Sequence, residues 1–328
     1  MTKPSVKEVY DIAIVGGGVT GFATAMYAGR LSLKTIIFAD QRGGVITTTD
    51  DVSNYPGFKK LTGIELAKKI EDHALDYDIA VVDEKVIKVK GLKMCFKVKS
   101  GDEKEYMSKT IVFATGTKWR KIQVPGEEEF ANKGVHYCAL CDGFAYKNKI
   151  VAVVGGSDSA AKEALVLTQH AKKVYIIYRG DKIRPEPVNM KKIEDQIKKG
   201  KIEIINNSNV KEIKGNDKLG VTSVILDKEY KKSKELKLDG VFIAIGHLAL
   251  SELAKDLGVK LNQKGEILIN RNSETNIPGV YAAGDVGDTR FKQAITGVAE
   301  GVLAAYSAYE YVNENDFVCP TDTHNIKE

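Results

Sequence analysis

Cys138-Ala139-Leu140-Cys141-Asp142 places two thiols three positions apart, with a carboxyl directly after the second. A pair at this spacing has three readings: half of a zinc site, a structural disulfide, or a dithiol that passes electrons. Zinc would need two further ligands, but Cys95 and Cys319 stand singly and the five histidines lack ligand spacing. A structural bridge is out of keeping with a cytoplasmic chain, and four cysteines over this length make no disulfide framework. The redox pair is the reading left. Asp142 is then suited to deliver and remove protons as the sulfurs change partners. Its alternative is a helix N-cap beside the dithiol.

The elements around this pair read as two copies of one nucleotide-binding unit. The apolar run Tyr10 to Val15 predicts a buried parallel strand, followed by Gly16-Gly17-Gly18-Val19-Thr20-Gly21 and a helix from Phe22. Gly16 permits the tight turn, Gly18 lets backbone N–H groups approach a pyrophosphate, and Gly21 allows close helix–strand packing. The helix N-terminus then faces the phosphates. Asp40 ends the next strand, Thr35 to Ala39, where a ribose hydroxyl donor is expected.

The pattern recurs from Lys149 to Val154, running into Gly155-Gly156-Ser157-Asp158-Ser159-Ala160 and a helix over 161–170. Ser157 replaces the second fingerprint glycine, and Ala160 is an accepted packing substitute for the third. The strand Val174 to Tyr178 ends on no acid. Arg179, Lys182 and Arg184 cluster instead, which suits a ribose 2′-phosphate; the alternative is a solvated basic loop. Two further strands end at glycine turns, at Thr115-Gly116 and at Gly284-Asp285. Ligands of open α/β sheets sit outside the carboxyl ends of strands, so Asp285 is placed to reach a cofactor's polyol chain. The Ala/Gly-rich helical stretch after Gln293 could present its N-terminus to the same cofactor.

Taken in order, these landmarks resemble the low-molecular-weight thioredoxin reductases over nearly the whole chain. The set also includes Gly43-Gly44 with Thr47-Thr48-Thr49, Asn54-Tyr55-Pro56-Gly57, Ala244-Ile245-Gly246-His247, and Lys292-Gln293-Ala294. The resemblance implies an α/β fold of two Rossmann-like, three-layer ββα domains, the second inserted into the first. An FAD domain would comprise 1–120 and 247–328, and a nicotinamide domain carrying the dithiol would comprise 121–246. It implies FAD at Gly16, Gly18, Gly21, Asp40, Thr48, Asn54, Thr115, Gly116, Gly284, Asp285, Lys292, Gln293 and Ala294. NADPH would bind at Gly155 to Ser159, Arg179 and Arg184, with Gly246 at the crossing between domains. It also implies a homodimer, domain rotation at the crossings, Cys141 as the flavin-proximal sulfur, and Cys138 as the nucleophile toward a partner disulfide.

The departures concern mainly the nicotinamide. The family loop usually reads His-Arg-Arg-x-x-x-Arg, and here it is Tyr178-Arg179-Gly180-Asp181-Lys182-Ile183-Arg184. Losing an arginine at Gly180 removes a phosphate contact of about 1–3 kcal/mol, so NADH use or weak discrimination stands beside NADPH. Val45 replaces a common Gln, and Ala249-Leu250 a common Pro-Asn.

Partners consistent with this reading are thioredoxin, a glutaredoxin-like protein or a peroxiredoxin system. An oxygen-using dithiol oxidase is a rival enzyme, and a nucleotide sensor without turnover is the rival from another class. The charge of +5 comes from 49 basic and 44 acidic residues mixed along the chain, a solvated surface with no nucleic-acid groove. No apolar run reaches the roughly 20 residues of a membrane span, and Met1 to Glu8 has no export signature, which predicts a cytoplasmic protein. His136 is read as a surface or turn histidine, His247 as part of the hinge turn, and Cys95 as a buried small hydrophobe. Cys319 is read as an exposed thiol, and Ile64, Ala67, Ile70 and Leu75 as a core stripe.

Overall fold

The computed structural model describes residues 3–48, 52, 54–92 and 94–319. The chain divides into two compact units, Met1–Lys118 with Leu248–Glu328, and Trp119–His247 between them.

The first stretch runs β1 (Val9–Val15), α1 (Val19–Arg30), β2 (Thr35–Phe38), a 3-10 turn (Gly44–Thr48), α2 (Gly63–Leu75), β3 (Ile79–Val82), β4 (Val86–Leu92), β5 (Cys95–Ser100), β6 (Glu105–Phe113) and β7 (Thr117–Trp119). Strands β3, β2, β1 and β6 lie side by side in parallel. Alternate β1 residues serve two cores. Ile12 and Ile14 face the helices, while Ala13 and Val15 face the β4–β5 hairpin side. Burial on both faces is why this strand reads as an unbroken apolar run.

The inserted unit contains β8 (Val135–His136), α3 (Ala139–Asp142), a 3-10 turn (Gly143–Tyr146), β9 (Ile150–Val154), α4 (Asp158–Leu167), β10 (Lys173–Ile177), α5 (Pro187–Lys198), β11 (Ile202–Ile205), β12 (Val210–Asn216), β13 (Gly220–Tyr230), β14 (Ser233–Lys237) and β15 (Gly240–Ile243). Its parallel sheet has the order β11-β10-β9-β15-β8. The division of β1 is repeated in β9. Val151 and Val153 pack with α4, while Ala152 and Val154 pack with the antiparallel β12–β14 meander. Each unit is therefore meander, parallel sheet and helices in three layers.

The chain returns through β16 (His247–Ala249), which pairs with β7, then α6 (Glu252–Asp256), β17 (Val280–Ala282), a 3-10 turn (Gly284–Val286) and α7 (Ala294–Glu314). Strand β6 spans nine residues because it has two neighbours on one side. Its first half pairs with β5, and Ile111 to Phe113 pair with β17. Helix α7 spans 21 residues. A Cβ added at Gly301 would stand 2.6 Å from Thr24 Oγ1, so this helix lies close on α1 through its small residues.

Three expectations need correction. Ile64 is 63% exposed, while Leu66 in the same turn of α2 takes the buried place beside Ala67. His247 opens strand β16 and meets Trp119 edge-on, so it does not belong to a turn. Cys95 is buried as expected, but it is joined to Cys319 by a disulfide, so neither is a free thiol. The segment after α7 brings the two together: Phe317 packs against Tyr311 and under the Lys109 ammonium, and the Cα atoms of the cysteines are 5.7 Å apart.

Candidate active site

Strand β8 ends one residue before Tyr137, and the next turn carries both sulfurs. Cys138 and Cys141 are joined, with Cα atoms 5.3 Å apart. Cys138 is the N-cap of α3, and its Sγ accepts the Cys141 N–H at 3.2 Å. Tyr137, next to Cys138, is held on two sides. It stacks on Trp119 and donates to Glu127, whose buried carboxylate also accepts the N–H groups of Ile122 and Gln123. Leu140, between the sulfurs, is 47% exposed, and Phe144 just beyond them is exposed as well. The turn thus carries its disulfide beside two exposed apolar side chains.

Glu163 and Tyr146, which the sequence does not single out, and His136, expected as a surface or turn histidine, crowd this turn. Glu163, one turn inside α4, accepts the Ala139 N–H and so holds the dithiol helix to the fingerprint helix. Its sequence signal is slight, an acid within Ala160-Ala161-Lys162-Glu163-Ala164. His136 is not at the surface: its side chain is only 11% exposed, and the ring stacks on Phe242. Its Nδ1 lies 3.4 Å from Asp142 Oδ2, and its Nε2 is 2.7 Å from the Tyr146 hydroxyl. Asp142 also stands at the N-cap of the following 3-10 turn, yet its side chain makes no capping bond there. The carboxyl faces the histidine instead.

Burial, with the Asp142 charge adding to it, pushes the Glu163 carboxyl from 4.5 up to about 7, although the Ala139 N–H opposes this. A carboxyl that is harder to ionise in the fold than in the unfolded chain penalises the fold once it is charged. Its contribution is neutral below about pH 4.5, and stability falls as pH rises toward 7. Urea midpoints should therefore decline over that interval by the equivalent of roughly 3 kcal/mol, and Glu163→Gln should flatten the decline. Equal slopes in both proteins would refute this.

In the outer unit the first fingerprint is built for a close approach. Gly16 has φ +117°, and a Cβ on Gly21 would lie 1.9 Å from the Gly16 carbonyl oxygen, so packing demands glycine at both. Around Gly18 the space is open: a Cβ there would meet nothing nearer than 3.9 Å. Gly18 caps α1 without any side-chain bond, which leaves the first N–H groups of the helix for an anion. By contrast α2 carries a full capping box from Thr62 and Glu65. Asp40 is exposed at the end of β2.

Residues far apart in sequence meet in this unit. Asn54 donates to Gln293 at 3.0 Å, and Gln293 caps α7, again without a side-chain capping bond. Thr115 donates to the Leu250 carbonyl, and Gly116 lies in the left-handed region. The exposed Thr48 hydroxyl donates to Val45, while Thr49 lies outside the described residues. Two residues brace the Gly284–Asp285 turn. Lys292 donates to the Asp285 carbonyl at 2.8 Å and pairs with Glu266 at 3.3 Å. Glu300, absent from the sequence reading, accepts the Gly284 N–H at 2.8 Å. Ala294 opens α7 beside this turn.

In the inserted unit, Ser157 caps α4 without a side-chain bond, so Ser157 and Ser159 leave that helix N-terminus open. Asp158 instead accepts the Glu186 N–H at 2.9 Å and Asn189 at 2.7 Å, and pairs with Lys162. The Arg184 N–H donates to the Gly156 carbonyl at 2.7 Å, which lays the basic loop across the fingerprint. Arg179, Lys182 and Arg184 are exposed there. Tyr178 explains Gly180: a Cβ at 180 would stand 2.7 Å from its ring, and one at Gly156 would stand 2.2 Å from the other edge. Gly246 has φ +95°, and its carbonyl accepts the Arg120 N–H across the two crossings.

Two sheets with open fingerprints and one redox disulfide define a dinucleotide-dependent dithiol oxidoreductase. Comparison with known proteins agrees. The family model described as pyridine nucleotide-disulphide oxidoreductase matches residues 10–301. The curated thioredoxin reductase of Bacillus subtilis (strain 168) is 38% identical over 314 residues, covering 94% of this chain and 97% of that protein. The crystal structure of thioredoxin reductase from Streptococcus pyogenes MGAS5005 superposes with a TM-score of 0.86 at 34% identity, covering 95% of this chain and 100% of that one. Thioredoxin reductase from Giardia duodenalis gives 0.85 at 33%, covering 93% and 99%. The chain belongs to the pyridine nucleotide-disulphide oxidoreductases, and within them to the low-molecular-weight thioredoxin reductases.

Proposed function

We infer that the protein is a thioredoxin-disulfide reductase that draws electrons from a nicotinamide nucleotide through a flavin to the Cys138–Cys141 pair. The observation that carries this is the closed dithiol on a fixed turn, set in a unit with its own dinucleotide fingerprint. FAD is assigned to the outer unit, because Gly18 leaves room for a pyrophosphate and α1 and α7 lack side-chain caps. Asp40 would take the ribose, the Asp285 turn the polyol chain, and Asn54, Thr48, Thr115 and Gly116 the remaining edge. The bound flavin supplies the step between two-electron hydride chemistry and the disulfide. Cys141 is proposed as the sulfur it reduces and Cys138 as the nucleophile toward thioredoxin, with Asp142 holding the proton exchanged between them.

NADPH is the proposed donor, supported by exposed Arg179 and Arg184 beside the second fingerprint. Restoring an arginine at Gly180 would require the Tyr178 ring to turn away, so the discriminating variant is Arg184→Ala. It should raise the KM for NADPH by about 10- to 100-fold and leave that for NADH unchanged. Equal effects on both would remove the loop from phosphate recognition. A homodimer is proposed from the family. A cytoplasmic setting is proposed only from the need to keep thioredoxin reduced, since the Cys95–Cys319 bridge runs against the expectation of no structural disulfide. Among the described residues no helix is long and apolar enough to cross a membrane.

Anaerobic titration of the purified protein tests the whole reading. The protein should be yellow, NADPH should bleach it, and oxidised thioredoxin should restore the colour. A colourless protein, or bleached protein that thioredoxin does not reoxidise, would overturn it.

A further inference from the structure

We propose that His136 is a positioning residue for the dithiol chemistry, holding the Asp142 carboxylate through an imidazole that Tyr146 anchors from behind. The inference rests on the reductase reading above, and concerns the step in which the dithiol releases its partner.

The geometry admits a simple proton order. A neutral imidazole that meets a carboxylate through Nδ1 must carry its hydrogen there, since the carboxylate only accepts. Nε2 is then the acceptor, and the Tyr146 hydroxyl at 2.7 Å donates to it. Should the ring become charged, both nitrogens donate, and the same hydroxyl turns to accept. The chain Tyr146–His136–Asp142 thus keeps its contacts in either state. It is also firmly held. The His136 ring stacks on Phe242 at 5.2 Å and meets Tyr146 edge-on, and Tyr146 meets Phe242 edge-on as well. Burial holds the Tyr146 hydroxyl far above the usual phenol range, so it stays protonated as a donor.

Among the described residues, the charged and titratable groups on the surrounding elements include His170, whose ring Cδ2 would stand 4.0 Å from a Cβ at Gly143. Glu163 comes from α4, Asp239 acts on Tyr146 from the segment before β15, and the Lys149 ammonium lies 5.4 Å from the centre of the Tyr146 ring. Asp142, 23% exposed by side chain, is the last residue of the sulfur-bearing helix α3, and its carboxyl meets His136.

The step is balanced as follows. In the mixed disulfide, Cys138 Sγ is bonded to a partner sulfur and Cys141 is a thiol. The Asp142 carboxylate takes the Cys141 proton as that sulfur attacks Cys138 Sγ. The Cys138–partner bond breaks, its electron pair leaves with the partner sulfur as a thiolate, and that thiolate takes the proton back from Asp142. Asp142 Oδ2 lies 3.4 Å from His136 Nδ1, and Oδ1 is the oxygen proposed for this exchange.

Single-turnover mixing of two-electron-reduced enzyme with oxidised thioredoxin, across roughly pH 6 to 9, tests the proposal. His136→Phe retains the stacked ring but no N–H. It should slow the exchange about tenfold near neutrality and alter its dependence on pH, because the carboxyl that carries the proton loses the ring nitrogen that orients it. His136→Asn can present an N–H where Nδ1 stood, and should regain most of the rate and the original profile. His136→Gln places its donor further out and should not. Flavin bleaching by NADPH should be the same in every variant. A wild-type rate and profile in His136→Phe would overturn the proposal. If that variant does not fold, Asn and Gln decide alone, and equal behaviour of the two would overturn it. Failure of the wild-type protein to reduce thioredoxin is a different result, which removes the reductase reading itself.

Discussion

Cys138→Ser should bleach with NADPH as readily as the wild-type protein, yet reduce thioredoxin at least about 10⁴-fold more slowly. The substitution is mild for the fold, because a serine oxygen can accept the Cys141 N–H that the sulfur accepts at 3.2 Å. It removes only the nucleophile. Cys141→Ser is the complementary case. Cys138 can still attack the partner, but no second sulfur remains to resolve the mixed disulfide, so a covalent complex should accumulate on a non-reducing gel. A trapped complex from Cys138→Ser, with none from Cys141→Ser, would reverse the two roles. Normal thioredoxin turnover in both would remove the pair from the chemistry.

The second large effect lies far from that turn in sequence. The Cys95–Cys319 bridge closes a loop across a sequence separation of 224, including the whole inserted unit. In the chain-entropy model a loop of that length restrains the unfolded state by about 5 kcal/mol, although the same bond can act enthalpically. Cys319→Ser should lower the melting temperature by about 10 °C. A reductant should lower the wild-type midpoint by a similar amount and leave that of Cys319→Ser nearly unmoved. The comparison isolates this bridge because the Cys138–Cys141 loop, with a sequence separation of only three, restrains the unfolded chain far less. Coincident melts for wild type and Cys319→Ser would show that the bridge contributes nothing to stability.

Local pattern was enough to determine the fingerprints, the strands that lead into them and the dithiol. Each depends on neighbours in sequence: a buried strand needs a run of apolar residues, a tight turn needs glycine, and a redox pair needs two sulfurs one helical turn apart. The Asp40 and Asp285 positions were legible for the same reason, since a strand end is marked by where its apolar run stops. The three-layer arrangement was reached through the ordered landmarks. Its physical basis is visible in β1 and β9, whose alternate residues pack into different cores.

What the tertiary structure alone decided is every pairing across long separations. Asn54 meets Gln293, Glu300 holds the Gly284 turn, and Cys319 finds Cys95 only because the segment beyond α7 returns to β5. Nothing in the local pattern of Cys319 distinguishes a free thiol from a bridged one, since that depends on which strand the tail reaches. His136 shows the same limit at short range. Two residues before Cys138 it could have pointed to solvent, but strand β8 beside β15 turns its ring onto Phe242 and its Nδ1 toward Asp142. The alternation of a strand fixes which face a side chain takes, and only the packed sheet decides which of those faces is the buried one.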